Sequence, residues 1–158
     1  MTDERITPSF WLSEFLRSDT ATRRGIDNRP KASELANIRN ILAPGMQQVR
    51  DILGLPVQIT SGYRCPEVNA AIGGSKSSQH MEGLAADFVC PQLGSPRTVA
   101  QYLIEHAGAR LQFDQLIWEG GWVHISFVAK NPRRQVLTAH FHGGKVSYTE
   151  GLLDRRVV

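Results

Sequence analysis

Long apolar runs are missing from this sequence. No run approaches the roughly 20 apolar residues that a membrane-spanning helix needs, so membrane insertion is excluded. The first residues include Asp3 and Glu4 and are not followed by an apolar segment, so they do not read as a signal peptide. We therefore expect the protein to be made in the cytoplasm and to act on an outside substrate only after release or delivery by another route.

Cysteine is scarce as well. The 158 residues include only Cys65 and Cys90, with no C-x-x-C pair. A disulfide between them is compatible with this count, but the missing export signal favours reduced thiols. On a strand that begins near Ala85, Asp87 and Cys90 point to opposite faces. We therefore expect Cys90 to be a small buried residue.

Positive charge is neither strong nor clustered. The net charge is +3, and arginines occur in scattered pairs such as Arg23-Arg24, Arg133-Arg134 and Arg155-Arg156. A nucleic-acid-binding groove would cluster basic residues on one element, so we expect no nucleic-acid partner. With 41% hydrophobic and 21% charged residues, the composition suits one globular domain over residues 1–158, which we expect to be a monomer.

Hydrophobic periodicity predicts helices first and strands last. Short helices are expected in the first 30 residues, with Gly25 ending one of them, and a longer helical pattern runs over 35–53. Pro44 and Gly45 should kink or split that pattern, and Gly54 should end it. The remaining predictions are strand 56–60, helix 66–72, loop 75–83, strand 84–89, helix 97–107, and strands 115–119, 122–127 and 136–142, with 145–148 as a further candidate. This order predicts an α+β fold, with N-terminal helices packed on a small antiparallel β-sheet that ends in a meander.

The segment 120–121, Gly-Gly, is a two-residue hairpin signal. With that turn, Glu119 pairs with Trp122 and Ile117 pairs with His124. Glu119 then shares the face of His124 and lies diagonal to it, about 7–8 Å away by backbone and within reach of a long side chain. A carboxylate there could act as general base on a metal-activated water, although a polar residue at a strand end explains Glu119 equally simply.

Asp87 is unusual because it lies inside the apolar run 84–89. A carboxylate buried there costs several kcal/mol unless it is paired or bound to a metal, and no helix begins there for it to cap. His80 in the polar loop and His124 on the hairpin would each, taken alone, be ordinary packed or surface residues. Together, two histidines and one carboxylate form a set that holds a catalytic zinc and leaves its fourth position open.

The pattern Ser78-x-His80-x-x-Gly83-x-Ala85-x-Asp87, followed downstream by Trp-x-His, resembles the zinc D-alanyl-D-alanine carboxypeptidase and dipeptidase family. That family includes many phage endolysins that cut peptidoglycan stem peptides. The segment 61–64, Ser-Gly-Tyr-Arg, resembles the family's arginine segment. The similarity runs from about Phe10 to the last strands, and it implies the fold shared by these peptidases and the amino-terminal domain of Hedgehog signalling proteins.

The resemblance also implies roles for individual residues. Zinc (Zn²⁺) would be held by His80, Asp87 and His124. Arg64 would bind the substrate carboxylate or the developing oxyanion, since its planar fork matches both. On the substrate side we expect Ser78, which equally could support its own loop, and Trp122. The implied partners are peptidoglycan stem peptides, and carboxypeptidase and endopeptidase action would use the same ligands.

One position departs from the family pattern. Typical members carry the catalytic Glu or Asp three residues before the third metal ligand, where this chain has Gly121. Glu119 is the expected replacement, because alternation places Asp114 on the other face. The departure leaves open an alternative function, a noncatalytic cell-wall-binding or virion-associated module that retains the fold. His140 and His142 form a rival metal pair, but the apolar residues alternating with them indicate an exposed face.

Overall fold

The computed structural model describes residues 2–153 of the chain, and these contain six α-helices and six strands. The Arg155-Arg156 pair lies outside these residues. The helices are Leu12–Leu16 (α1), Asp19–Arg24 (α2), Ala32–Asn37 (α3), Ala43–Leu53 (α4), Pro66–Ala71 (α5) and Pro96–Ala107 (α6). The strands are Gln58–Ser61 (β1), Ala85–Val89 (β2), Gln115–Trp118 (β3), Val123–Ser126 (β4), Gln135–His142 (β5) and Lys145–Glu150 (β6).

The long helical pattern is continuous through Pro44, so the break predicted at that residue is wrong in its position. Pro44 is the second residue of α4, and Leu42 and Ala43 just before it keep helical dihedral angles. The irregularity falls on the turn before it, Ile38–Leu42, which is π-helical. Gly45 serves packing, since a Cβ there would lie 2.6 Å from the ring of Phe127. Gly54 ends α4 in the left-handed region, as predicted.

The strand order in the sheet is β1-β2-β4-β3-β5-β6. All neighbours are antiparallel except β3 and β5, which pair in parallel. The predicted α+β class is confirmed, but the prediction of a closing antiparallel meander is wrong. Because β2 and β3 already occupy both edges of β4, the chain returns after β4 and adds β5 to the free edge of β3, where it runs parallel.

One face of the sheet packs against α6, which packs in turn against α4, and residues of all three form the core. Leu116, Val123 and Ile125 lie on that face and are fully buried. Cys65 and Cys90 are both buried and are not joined by a disulfide, and the predicted burial of Cys90 is confirmed. Among residues 2–153, no helix has the length and apolar character that crossing a membrane requires. The opposite face of the sheet is therefore the one left for a functional site.

Candidate metal centre

His80, Asp87 and His124 come together on that opposite face. Asp87 Oδ1 lies 3.0 Å from His124 Nδ1 and 3.3 Å from His80 Nε2. The two imidazole nitrogens, His80 Nε2 and His124 Nδ1, are 3.3 Å apart. All three residues are buried. The three residues predicted as metal ligands thus point one donor atom each at a common position.

The donor triangle fits a tetrahedral zinc ion. Zinc bonds of about 2.0–2.2 Å to nitrogen and oxygen separate tetrahedral donor atoms by about 3.3–3.6 Å. The distances between the three donors here are 3.0–3.3 Å, close to that range. Two imidazoles and one carboxylate also leave a fourth position for water or substrate. These residues could therefore hold one metal ion without a large rearrangement.

His80 is positioned by a short turn and by a backbone carbonyl. The segment predicted as the loop 75–83 contains the 3₁₀ turn Gln79–Glu82, and Ser78 Oγ caps this turn by accepting a hydrogen bond from His80 N at 3.2 Å. The Nδ1 of His80 donates to the Gly62 carbonyl at 2.7 Å. That bond fixes the tautomer and directs the Nε2 lone pair toward the site.

Gly83, which ends this turn, is required by its surroundings. It has a φ of 72°, which favours glycine, and a Cβ there would lie 2.6 Å from the Glu34 carbonyl oxygen. The glycine of the sequence motif therefore lets the turn pack tightly against α3. The turn delivers His80 to the site at one end and leads into β2 at the other.

Asp87 faces His124 directly, because the two are cross-strand partners of β2 and β4. Its second oxygen, Oδ2, accepts a hydrogen bond from Nη2 of Arg64 at 3.1 Å, which leaves Oδ1 for the metal position. The Arg64 guanidinium is held in turn by Ser61 Oγ, which accepts from Nε at 3.1 Å. The β1–β2 register shifts between Ile59 and Ser61, and after this irregularity Ser61 is the partner of Asp87.

The hairpin of β3 and β4 places Glu119 beside His124. Ile117 pairs with His124, and Glu119 N donates to the Trp122 carbonyl at 3.0 Å, so the predicted register is confirmed. Glu119 Oε1 lies 3.7 Å from His124 Nδ1, with the Glu119 side chain mostly buried. The carboxylate thus adjoins the metal position without being one of the three donors. Trp122 is half-exposed at the rim of the same site.

The electrostatics suit metal ligation. Burial opposes charge on His80 and lowers its pKa despite the nearby carboxylate of Asp87, so its Nε2 stays available as a neutral donor. Burial alone would raise the pKa of Asp87, but the contacts with His80 and His124 outweigh it and the net shift is downward. Asp87 is therefore ionised at neutral pH, as a metal-binding carboxylate must be.

The second pair of shifts concerns His124 and Glu119. Burial disfavours the charged form of His124, but the hydrogen bond and charge of Asp87, with Glu119 behind them, raise its pKa overall. Burial is the largest effect on Glu119 and raises its pKa, although His124 and Arg64 oppose the shift. A carboxylate with a raised pKa is suited to accept a proton and to release it again.

The other polar residues considered from the sequence lie away from the three donors. Asp114 is engaged by Arg133, whose Nη2 donates to its Oδ2 at 2.7 Å, and by Gln79. His140 Nε2 lies 2.9 Å from Thr149 Oγ1 on β6, and His142 is exposed. The sequence pattern did not reveal the Gly62 carbonyl as the partner of His80. Only the place of Gly62 inside the segment 61–64 hinted at a role near the site.

A turn and two neighbouring strands of this α+β domain bring two histidines and an aspartate to one position, which is the donor set of a zinc site with an open fourth position. The sequence profile of the family Peptidase M15 matches residues 8–126, a span that includes Arg64, Glu119 and the three donors. The chain belongs to this family, whose members are zinc peptidases. A comparison with individually curated proteins finds no match.

Proposed function

We propose that this protein is a zinc-dependent peptidase that hydrolyses peptide bonds in the stem peptides of bacterial peptidoglycan, after release from the cytoplasm or delivery to the wall. The observation that carries the proposal is the convergence of His80, Asp87 and His124 on one position with Glu119 beside it. The motif over 78–87, which resembles that of D-alanyl-D-alanine carboxypeptidases and endolysins, supports the choice of substrate.

Glu119 is the residue that would move protons. When bound by the three donors, zinc lowers the pKa of water and polarises a carbonyl group. Glu119 would accept a proton from the attacking water at a carboxylate oxygen and pass it to the amine of the departing peptide. Its place 3.7 Å from His124, at the edge of the donor triangle, puts the carboxylate within reach of a water there.

Arg64 would interact with negatively charged groups of the substrate. Through Nη2 it orients Asp87, and its guanidinium lies at a site that is mostly closed to solvent. In this position it would stabilise negative charge on the carbonyl oxygen, or bind the terminal carboxylate of the substrate. Trp122 at the rim and Ser78 next to His80 would contact the substrate, with Ser78 also supporting the turn that holds His80.

Digestion of purified muropeptides tests this function and the bond together. The protein is incubated with muropeptides as purified, after chelation, and after zinc is restored, and the products are identified by mass spectrometry. Loss of one terminal alanine indicates carboxypeptidase action, and separation of the stem into two peptides indicates endopeptidase action. Cleavage that is unaffected by the chelator contradicts the zinc mechanism. Cleavage of other peptides but not of muropeptides contradicts the substrate.

A noncatalytic wall-binding module is the second candidate, and one observation favours it. Gly121 occupies the position at which typical members of the resembled family carry their catalytic carboxylate, and it lies exposed in the hairpin turn. Such a module would bind peptidoglycan and zinc without releasing products. Sedimentation of the protein with cell walls, without new amine termini in the supernatant, would support this candidate.

A further inference from the structure

The face of the sheet that carries the metal centre continues onto β5 and β6. Cross-strand partners point to the same face, and the chain of partners runs from His124 to Ile117, from Ile117 to Leu137, and from Leu137 to Glu150. Residues two positions further along a strand share that face. The hairpin of β5 and β6 therefore extends the surface that surrounds the proposed active site.

Tyr148 lies on this surface, close to Glu119. The parallel pairing of β3 and β5 ends with Trp118 beside Thr138, and continuing that register by one residue brings Glu119 level with Ala139, whose partner on β6 is Tyr148. Ala139 itself contributes only a methyl group between them. Burial and the negative charges of Glu119 and Asp87 raise the pKa of Tyr148, so both site carboxylates interact electrostatically with its phenol. The residue is nevertheless 49% exposed and open to a ligand.

An exposed apolar pair adjoins Tyr148. Phe141 and Val146 are cross-strand partners on the same face, two residues further along each strand. They are 56% and 46% exposed. Leu137, on the same face but next to β3, is buried instead. Exposed apolar side chains that adjoin one another beside a polar cleft are typical of a ligand-binding surface.

We propose that the face of the β5–β6 hairpin that carries Tyr148, Phe141 and Val146 binds the stem peptide on one side of the bond to be cut. This inference rests on the proposed function. The surface offers a hydroxyl for peptide hydrogen bonding and apolar contacts for the methyl groups of alanine residues. The hairpin lies outside the segment 8–126 that matches the family, so the match itself assigns no role to it.

The test measures binding without turnover. A synthetic stem pentapeptide is titrated calorimetrically into the zinc-loaded Glu119→Gln protein and into the same protein carrying Tyr148→Phe or the double change Phe141→Ser and Val146→Ser. We expect Kd to rise about threefold to tenfold for loss of the hydroxyl and about tenfold or more for the double change. Ser147→Ala, on the opposite face of β6, is the matched control and should leave Kd unchanged.

Two further readouts separate this inference from the function itself. In the protein with Glu119 intact, the same changes should raise KM while kcat stays within about threefold, with zinc content and melting temperature unchanged. Hydrolysis of the wall with equal Kd in all variants overturns the hairpin proposal and leaves the peptidase standing. Peptide binding that depends on the hairpin, in a protein that hydrolyses nothing, supports the hairpin proposal and overturns the peptidase function. Binding of free glycan strands but not of the peptide overturns the choice of ligand.

Discussion

Replacing Glu119 by glutamine separates the two candidate functions. The change removes a proton-accepting carboxylate and keeps the size and shape of the side chain. Glu119 is not one of the three donors, so His80, Asp87 and His124 keep their positions. The lost negative charge also removes one influence that raises the pKa of His124, which makes the neutral, metal-binding imidazole easier to form. Zinc binding should therefore survive the substitution.

The size of the expected effect follows from the role of the residue. A positioned general base contributes about 10²–10⁴-fold to a rate. At about 1.4 kcal/mol per tenfold change, this is about 3–5 kcal/mol of transition-state stabilisation. The Glu119 side chain is mostly buried and lies 3.7 Å from His124, so bulk water has little access to the position of its carboxylate. Water is therefore a poor substitute for Glu119 as proton acceptor. We therefore expect kcat to fall by at least about 100-fold, with KM nearly unchanged.

The assay combines stem-peptide cleavage, followed by chromatography of the products, with zinc content by atomic absorption. Glu105→Gln is the matched control, since Glu105 is exposed on α6, away from the site, and should leave both quantities unchanged. A Glu119→Gln protein that binds zinc and retains full activity would refute the assignment of the base. Wild-type protein that binds zinc and wall without any cleavage would favour the noncatalytic module.

Three further predictions concern stability. Free zinc at about 100 times its Kd should stabilise the fold by about 2.7 kcal/mol, which raises Tm by about 5–11 °C in a chain of this length. Scanning calorimetry of the Asp87→Ala protein should show almost none of this shift. Gly62→Ala should lower the free energy of unfolding in denaturant by about 1–3 kcal/mol and weaken zinc binding, because its Cβ would lie 2.4 Å from the Phe15 carbonyl oxygen. Gly121→Ala, whose Cβ meets nothing within 4 Å, is the control. Equal stability of the two variants would contradict the packing argument. The hydrogen bond from Arg133 is the main influence that lowers the pKa of Asp114 to about 2, so the stability that the ionised carboxylate provides is present above about pH 4 and disappears as the pH falls toward 2. The Asp114→Asn protein should be about 2 kcal/mol less stable than the wild type at pH 7, with a smaller difference at pH 2. A difference that does not depend on pH would count against the ion pair.

The sequence was sufficient for the elements whose position depends on local patterns. The Gly-Gly turn at 120–121 fixed the register of the hairpin, and with it the neighbouring positions of Glu119 and His124. The apolar run 84–89 identified Asp87 as an exception that needed a partner. Gly25 and Gly54 marked helix ends, because only glycine adopts the left-handed conformation at little cost.

What the sequence could not predict depends on contacts between distant segments. The parallel pairing of β3 with β5 depends on which strand edge remains free after β4 has paired on both sides, and no local pattern contains this information. The partner of His80, a backbone carbonyl at Gly62, is invisible to side-chain patterns. The position of Tyr148 beside Glu119 follows from the same parallel pairing, so it was also out of reach.

The different demands on ligands and on a base explain why Gly121 is compatible with a catalytic site. A metal donor must lie within a few tenths of an ångström of its place, and here His80 and Asp87 are each held by a second contact, from Gly62 and from Arg64. A general base needs only to reach the water, and a side chain on either strand of a hairpin can do so. Glu119, directly after β3 and five residues before His124, lies 3.7 Å from that imidazole, so the proposed base does not need position 121.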